Sequence, residues 1–362
     1  MSDVRMTEKI TFTCLDCAGE LKRKDDHYIC QSCAKNWPIR FGIPYFVRED
    51  FYWGNLSREE MNSLLESIHN SYWEDVVKEK IKTKHKELEA YIFDAQRASW
   101  HFFCSLNKDS SVLDIGGLWG TLSFTLAKTC GEVVAVDAVI ENCRFMDVRR
   151  KQDHVENLQS VCANAVELPF AENTFDLVIL NGVLEWTGLA DPNENPLLLH
   201  KKIIKKIHHI LKPGGKLYIG IENRFGIDCL MGVKDSHSGL RFVTVLPRWL
   251  ADIYSKRKRG HRYSEITHSY WGMKKLLRTS GFKRIEFFIP LPNYRYFAYF
   301  IPFNNNQGLQ FCVNHFMKAQ MNEASGRIQL FFLLVRILVF FRLYFLLKSF
   351  SPSFGLLAQK DS

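Results

Sequence analysis

Val112-Leu113-Asp114-Ile115-Gly116-Gly117-Leu118-Trp119-Gly120, followed by Val133-Val134-Ala135-Val136-Asp137, decides the fold of this chain. An apolar run enters a Gly-rich turn, a helix's length of chain follows, and a second apolar run ends in an acid. Strand, turn, helix, strand and acid in that order mark the nucleoside-binding half of a doubly wound α/β sheet. The glycines let the backbone approach a ligand where a Cβ would collide. Asp137, at the tip of the second strand, is placed to accept hydrogen bonds from two ribose hydroxyls.

Working outward, Ser111–Ile115 and Glu132–Val136 are the first two strands. Asn157–Cys162, Phe175–Leu180 and Lys216–Glu222 read as the next three. The run at 175–180 is continuously apolar, as a buried parallel strand should be. Leu198–Leu211 reads as a basic amphipathic helix, and Lys212-Pro213-Gly214-Gly215 as the turn after it. Tyr270–Ser280 reads as a helix capped by Gly281. Arg284–Ile289 and Tyr294–Ile301 are close enough to form a hairpin. Before the sheet, residues 57–106 read as helical, with Leu64, Leu65, Ile68, Tyr72, Trp73, Val76 and Val77 at three-to-four spacing. Such a stripe is a packing surface, and Lys78–Glu89 is a solvated face or a lid hinge.

The 362 residues carry 48 Lys and Arg against 39 Asp and Glu, a net charge of +9. That excess points to an anionic partner such as nucleic acid, a phospholipid surface or a phosphorylated substrate, or simply to a solvated basic surface. Its densest run is Lys256-Arg257-Lys258-Arg259, with His261 and Arg262 just beyond. The N-terminus lacks the apolar core of a signal peptide, so a cytoplasmic location is expected. Ten cysteines in a chain of this length do not make a disulfide framework. Six are scattered, as free thiols in a reducing compartment would be.

The other four are spaced as a metal site. Cys14-x-x-Cys17 and Cys30-x-x-Cys33 are two knuckles separated by twelve residues. Two such turns facing each other complete a tetrahedral four-sulfur zinc site with no open position, so the metal is expected to be structural. With Gly19, Leu21 and the following Trp37-Pro38-Ile39-Arg40-Phe41-Gly42-Ile43-Pro44-Tyr45-Phe46, this segment resembles the Trm112-type zinc ribbon. Trp37 stands where that family usually has Tyr. The resemblance covers residues 12–48 and implies a module that accompanies a methyltransferase and supports it without chemistry of its own.

Residues 107–302 resemble a class I S-adenosylmethionine-dependent methyltransferase. The resemblance implies a Rossmann-like seven-stranded α/β sheet with S-adenosylmethionine as cofactor. Asp114, Gly116, Gly117 and Gly120 match its glycine turn, with Leu118 where the middle glycine usually lies. Asp137 matches the ribose-binding acid. Asn164-Ala165-x-x-Leu168-Pro169-Phe170 matches the adenine-contacting loop, with Asn164 in place of the usual Asp. Asn181-Gly182-Val183-Leu184-Glu185-Trp186 matches the tip of the fourth strand. The Leu-Pro-Phe loop and the Pro213-Gly214-Gly215 turn argue against a nicotinamide-dependent dehydrogenase.

The acceptor is to be sought after the fifth strand, at whose carboxyl end ligands of open α/β sheets sit. Glu222-Asn223-Arg224-Phe225-Gly226 and Asp235-Ser236-His237-Ser238-Gly239, then Pro290-Leu291-Pro292-Asn293-Tyr294, resemble methyltransferases encoded with bacterial surface-polysaccharide genes. Ser236 is an insertion relative to that pattern. His237 is the candidate general base, Arg224 the candidate for an anionic or sugar-phosphate group, and Glu222 and Asp235 the candidates for orienting them. The alternative is that Glu222 pairs with Arg224 and His237 caps a loop.

Ile328–Leu347 is nearly all apolar but interrupted by Arg336 and Arg342. Each arginine would cost about 2.5–3.5 kcal/mol at mid-membrane. A membrane-surface segment with snorkelling arginines is one reading, core packing or an oligomer contact the other. The expected organisation is a zinc ribbon at 1–50, a helical cap at 51–106, a methyltransferase domain at 107–302 and an apolar helical tail at 303–362. The expected function is O-methylation of a glycan or lipid-linked glycan precursor, at the inner face of the membrane. The rivals are a tRNA or rRNA methyltransferase and a non-catalytic cofactor-binding scaffold.

Overall fold

The structure, a computed structural model, describes residues 10–82, 86–189, 194–320 and 326–362. Leu21–Lys24, His27–Cys30, Asn36–Arg40 and Ile43–Pro44 (β1–β4) form a small antiparallel sheet in chain order. Arg58–Ile68, Trp73–Lys82 and Lys86–Phe93 (α1–α3) and a 3-10 turn at Ala95–Phe103 follow. Ser57 begins α1 with a capping box, its hydroxyl accepting from the Glu60 amide and the Glu60 carboxylate accepting from its own. The apolar stripe then packs as expected: Leu64, Leu65, Ile68, Trp73, Val76 and Val77 are buried against Trp119 and Phe145. Tyr72 is the exception, exposed with its hydroxyl donating to Asp153 at 2.8 Å. Residues 83–85 of the charged stretch lie outside the described residues.

The main body runs through Ser111–Ile115 (β5), Thr121–Ala127 (α4), Glu132–Asp137 (β6), Ile140–Gln152 (α5), Leu158–Cys162 (β7), Phe175–Asn181 (β8), Pro196–Ile210 (α6) and Leu211–Glu222 (β9), alternating strand and helix except between β7 and β8. Ile227–Leu230 (α7), Arg248–Arg259 (α8), Tyr270–Thr279 (α9), Arg284–Pro292 (β10) and Phe297–Pro302 (β11) come next. Asn306–Gln320, Gly326–Phe340 and Tyr344–Ser349 (α10–α12) lead to Ser353–Gln359 (β12). β7, β6, β5, β8 and β9 run parallel, with the crossover helices between them. Their side chains are almost wholly buried, which explains apolar runs without alternation.

Three expectations are corrected here. The main sheet has eight strands, in the order β11-β10-β12-β9-β8-β5-β6-β7, not seven. Arg284–Pro292 and Phe297–Pro302 do pair as a hairpin, but they do not adjoin β9. β12, from the end of the chain, is inserted antiparallel between β9 and β10. Residues 303–362 are therefore no separable tail, since the last strand lies inside the sheet and is buried along six of its seven residues. Lys212-Pro213-Gly214-Gly215 is also not a free turn. It is the irregular start of β9, which shifts register against β8, with Gly214 at φ +78.

The apolar segment is broken as well. α11 ends at Phe340, Arg342 takes φ +56, and α12 starts at Tyr344. Among the described residues no helix is long and apolar enough to cross a membrane. Val335 and Val339 pack on Ile289, Ile301, Leu309 and Val313. Phe340 and Phe341 remain 80% and 63% exposed.

Candidate active site

The glycine turn and its neighbours form a pocket at the carboxyl ends of β5, β6, β7 and β8. Gly116, Leu118, Asp137, Asn164, Ala165 and Asn181 line it, and Phe51 and Trp53 from the N-terminal linker close one side. Gly116 takes φ +77, and a Cβ there would meet Val183 at 2.4 Å. Leu118 takes φ +46, so the left-handed conformation that a glycine would supply is kept by a leucine. Its side chain packs into the helical cap cluster, a contact no glycine could make. The Leu118 amide donates to Asp137 Oδ2 at 3.0 Å, and the Val139 amide to Oδ1 at 2.9 Å. Burial raises the Asp137 pKa, and these N–H groups oppose that. Asn164 Oδ1 accepts from the Val166 amide at 3.0 Å, which fixes the loop after β7 as an Asx turn. Both polar atoms of the Asn181 amide are buried without a protein partner. An orphaned amide in a polar-edged pocket fits a ligand with an amino-acid-like end.

Three predicted cofactor residues do not line the pocket. Asp114 lies beneath the turn, where its carboxylate accepts from Ser123 Oγ at 2.5 Å and so ties β5 to α4. Burial pushes its pKa up to about 6, against the Ser123 hydrogen bond. Gly117 packs on Met146, and Gly120 starts α4 at φ +77 with Phe124 where a Cβ would go. These residues shape the turn from beneath.

A second cavity, of about 640 Å³, adjoins the first and shares Trp53, Leu118, Gly182 and Trp186 with it. Asn55, Ser236, Tyr294, Arg295 and Tyr296 line its far side. Behind that wall Glu185, Glu222 and His237 converge. His237 Nε2 lies 3.7 Å from Glu185 Oε1 and 3.7 Å from Glu222 Oε2, and its Nδ1 lies 3.1 Å from Asp235 Oδ1. The Tyr294 hydroxyl donates between Glu185 Oε1 at 3.4 Å and Glu222 Oε1 at 3.3 Å. Arg295 Nη2 donates to Glu222 Oε1 at 2.8 Å. The end of the chain holds this arrangement in place. Ser353 Oγ, at the start of β12, accepts from the Tyr294 amide at 2.9 Å, and Asn223 Nδ2 donates to the carbonyls of Ser349 and Ser351.

Burial disfavours a charged His237, but Asp235, Glu185 and Glu222 outweigh it and hold the pKa up to about 10. Burial and the charge of Glu185 push Glu222 up to about 8. Glu185 is also buried, yet His237 keeps its pKa below the ordinary value. The three carboxylates thus favour the protonated form of His237, the wrong state for the general base expected of it. Arg224 is placed elsewhere. Its Nε and Nη2 donate to the carbonyls of Thr244 at 2.9 Å and Leu246 at 2.8 Å, so its guanidinium supports a loop and pairs with no carboxylate of the site. The arginine that lines the cavity is Arg295, one residue beyond the Pro-Leu-Pro-Asn-Tyr segment, and Lys86 lines it too. Glu185 was visible only as part of the fourth-strand tip.

Residues 113–219 match the family model described as "Methyltransferase domain". The chain carries a methyltransferase domain of the S-adenosylmethionine-dependent kind. It is 33% identical over 121 residues to the ubiquinone/menaquinone biosynthesis C-methyltransferase UbiE of Haemophilus ducreyi, a match covering 32% of this chain and 43% of that protein. The corresponding UbiE of Klebsiella pneumoniae is 25% identical over 194 residues, 51% of this chain and 71% of the relative. The chain thus spans less than half the length of the first relative. Among solved structures, Haemonchus contortus phosphoethanolamine N-methyltransferase 2 in complex with S-adenosyl-L-methionine aligns with a TM-score of 0.43 and 16% identity, over 80% of this chain and 60% of that one.

The four N-terminal cysteines come together beside this methyltransferase domain. Their sulfurs lie within 4.8 Å of one another, with Cys14 Sγ to Cys33 Sγ at 3.7 Å and Cys17 Sγ to Cys30 Sγ at 3.3 Å. Sulfurs at ~2.3 Å from one tetrahedral zinc stand ~3.8 Å apart, so the donor set fits the ion. The ribbon sits on the free edge of the methyltransferase domain's sheet. The Phe46 amide donates to the Cys162 carbonyl at the end of β7, and the Thr13 amide to the Pro169 carbonyl. Phe12 packs on Phe170, and Arg48 bridges Asp16 and Glu167. These contacts pin both ends of the loop 163–170, which carries Asn164 and Ala165.

Proposed function

We propose that the chain transfers a methyl group from S-adenosylmethionine to a hydroxyl of a glycan or lipid-linked glycan precursor. The observation that carries this reading is the aromatic and polar cavity sharing a wall with the cofactor pocket. Trp53, Trp186, Tyr91 and Tyr296 offer flat apolar faces suited to sugar rings, and Asn55, Ser236 and Arg295 offer hydrogen bonds at their edges.

Asp137 would hold the cofactor's ribose, Asn164 and Ala165 its adenine, and Gly116 and Asn181 its amino-acid end. When bound, the cofactor supplies an already activated methyl group, so the protein's task is alignment and exclusion of water. Trp53 and Trp186, with ring centroids 4.6 Å apart, close the passage between the two pockets. The acceptor's hydroxyl proton moves to Tyr294 Oη as the tyrosine's own proton moves to Glu185 Oε1. Arg295 orients Tyr294, donating to its oxygen at 3.2 Å.

An apolar cavity of about 570 Å³ between α7, β10 and α10–α12 supports an acceptor with a lipid tail. It also supports a second reading, C-methylation of a lipid-tailed aromatic ring, the class of reaction in the name of the UbiE relatives. Exposed Phe340, Phe341 and Phe345 support peripheral contact with a membrane. Labelled methyl transfer into fractionated cell extract separates the readings. Label in glycan or glycolipid supports the first and label in an aromatic lipid the second. Label in RNase-sensitive material overturns both.

A further inference from the structure

The cluster behind the acceptor cavity holds more than a proton relay needs. Glu185 and His237 have fully buried side chains, and Glu222 is mostly buried. Glu185 Oε2, Glu222 Oε2 and His237 Nε2 are all buried without a hydrogen-bond partner. The three come from separate segments, the 3-10 turn Leu184–Leu189, the end of β9 and the loop after α7, and offer donor atoms within 4.8 Å of one another. Orphaned polar atoms that converge are costly unless something joins them. We infer that Glu185, Glu222 and His237 form a binding site for one divalent metal ion at the acceptor end of the cavity. Its catalytic meaning rests on the acceptor reading above, while the binding itself does not.

The surroundings have the form of a ligand shell. Asp235 takes the Nδ1 side of His237 and is itself fixed by the Ser238 amide at 2.9 Å, which leaves Nε2 facing the two carboxylates. A carboxylate behind the far ring nitrogen is the usual support of a metal-bound histidine. Arg295 and Tyr294 occupy Glu222 Oε1 and turn Oε2 inward. Two ligands at ~2.1 Å from one ion stand about 3.0–3.5 Å apart, and His237 Nε2 lies 3.7 Å from one oxygen of each glutamate, Glu185 Oε1 and Glu222 Oε2, so the imidazole needs to close on each by only a few tenths of an ångström. Three carboxylates surround His237 and one guanidinium, that of Arg295, pairs with Glu222, so with a neutral His237 a divalent ion balances the remaining charge. Two oxygens and one imidazole suit Mn²⁺ or Zn²⁺ better than an all-oxygen ion such as Ca²⁺.

The full-length protein is equilibrated with Mn²⁺, freed of excess, and its metal content measured by elemental analysis. Free Mn²⁺ is followed by paramagnetic resonance during titration, and S-adenosylmethionine binding by calorimetry serves as the folding control. The wild type should hold one more metal per chain than Glu185→Gln. Asp235→Asn, a positioning change, should weaken Mn²⁺ binding about 10–100-fold. Equal metal content and equal Mn²⁺ affinity in wild type and Glu185→Gln would overturn the site. If Glu185→Gln does not fold, Asp235→Asn decides, and unchanged Mn²⁺ affinity there overturns it. A wild type that binds S-adenosylmethionine but no Mn²⁺ at this cluster refutes the metal site and leaves the methyltransferase reading standing.

Discussion

At the scale of single residues, the sequence offers Arg224 for the cavity and the structure places Arg295 there. Arg224 stands in a polar, motif-like segment, and nothing in its spacing shows that the Thr244 and Leu246 carbonyls fold back onto it. Arg295 reaches Glu222 only because β12 pairs with both β9 and β10 and so brings their ends together, a contact between residues 73 apart in the chain. Arg295→Gln should lower kcat/KM by two orders of magnitude or more and leave cofactor affinity unchanged, read by kinetics and calorimetry. Arg224→Gln should lose about 1–3 kcal/mol of stability, with normal turnover in the molecules that fold. The reverse pattern would return Arg224 to the site.

A second residue-scale effect lies in the buried pair His200 and His268, whose rings are joined by a 2.8 Å hydrogen bond. Burial lowers both, to about 3 and about 4. In the unfolded chain they protonate near pH 6.5, so between about pH 6.5 and 4 the unfolded state binds more protons. The pair's contribution is therefore complete above that window and is lost as pH falls through it, by at most about 1.4 kcal/mol per pH unit for each ring. Melting temperature followed from pH 7 to 4.5 should fall, and His268→Gln should flatten the fall. A variant with the wild-type slope would assign the acid sensitivity to other groups.

At the scale of elements, the parallel half of the sheet was readable because apolar runs, turn residues and strand ends coincide locally. β12 was not readable. Ser353-Phe354-Gly355-Leu356-Leu357-Ala358-Gln359 is a short apolar run with no turn to a neighbouring strand, and its partners β9 and β10 lie far back in the chain. Removing residues 326–362 would therefore strip an inner strand rather than a tail, so truncation cannot test membrane contact. Phe340→Ser with Phe341→Ser and Phe345→Ser changes only exposed positions. Flotation with anionic vesicles should drop severalfold in the triple variant at unchanged melting temperature, and equal flotation would remove the membrane proposal.

The ribbon belongs to the same scale. Its cysteine spacing was legible, but its docking on β7 and on the loop 163–170 was not, because one antiparallel bridge at Phe12 and one parallel bridge at Tyr45 leave no sequence pattern. Cys17→Ser should release one zinc per chain and weaken S-adenosylmethionine binding about tenfold through loss of order in the Asn164 loop. Metal loss with unchanged cofactor affinity would make the ribbon a bystander.

At the scale of the whole molecule, both ends of the chain converge on the centre. The N-terminal ribbon and linker shape the cofactor side, where Phe51 and Trp53 complete the pocket. The C-terminal segment holds the acceptor side through Ser349, Ser351 and Ser353. A domain division drawn along the sequence misses this, since closure depends on contacts across most of the chain's length. All of this turns on the pocket between Gly116 and Asn181 being the proposed S-adenosylmethionine site. Calorimetric titration of S-adenosylmethionine into wild type and Asp137→Ala tests it most directly. One site per chain is expected in the wild type, with affinity at least tenfold weaker in the variant. A folded wild type that does not bind, or equal affinity in the two, would contradict it.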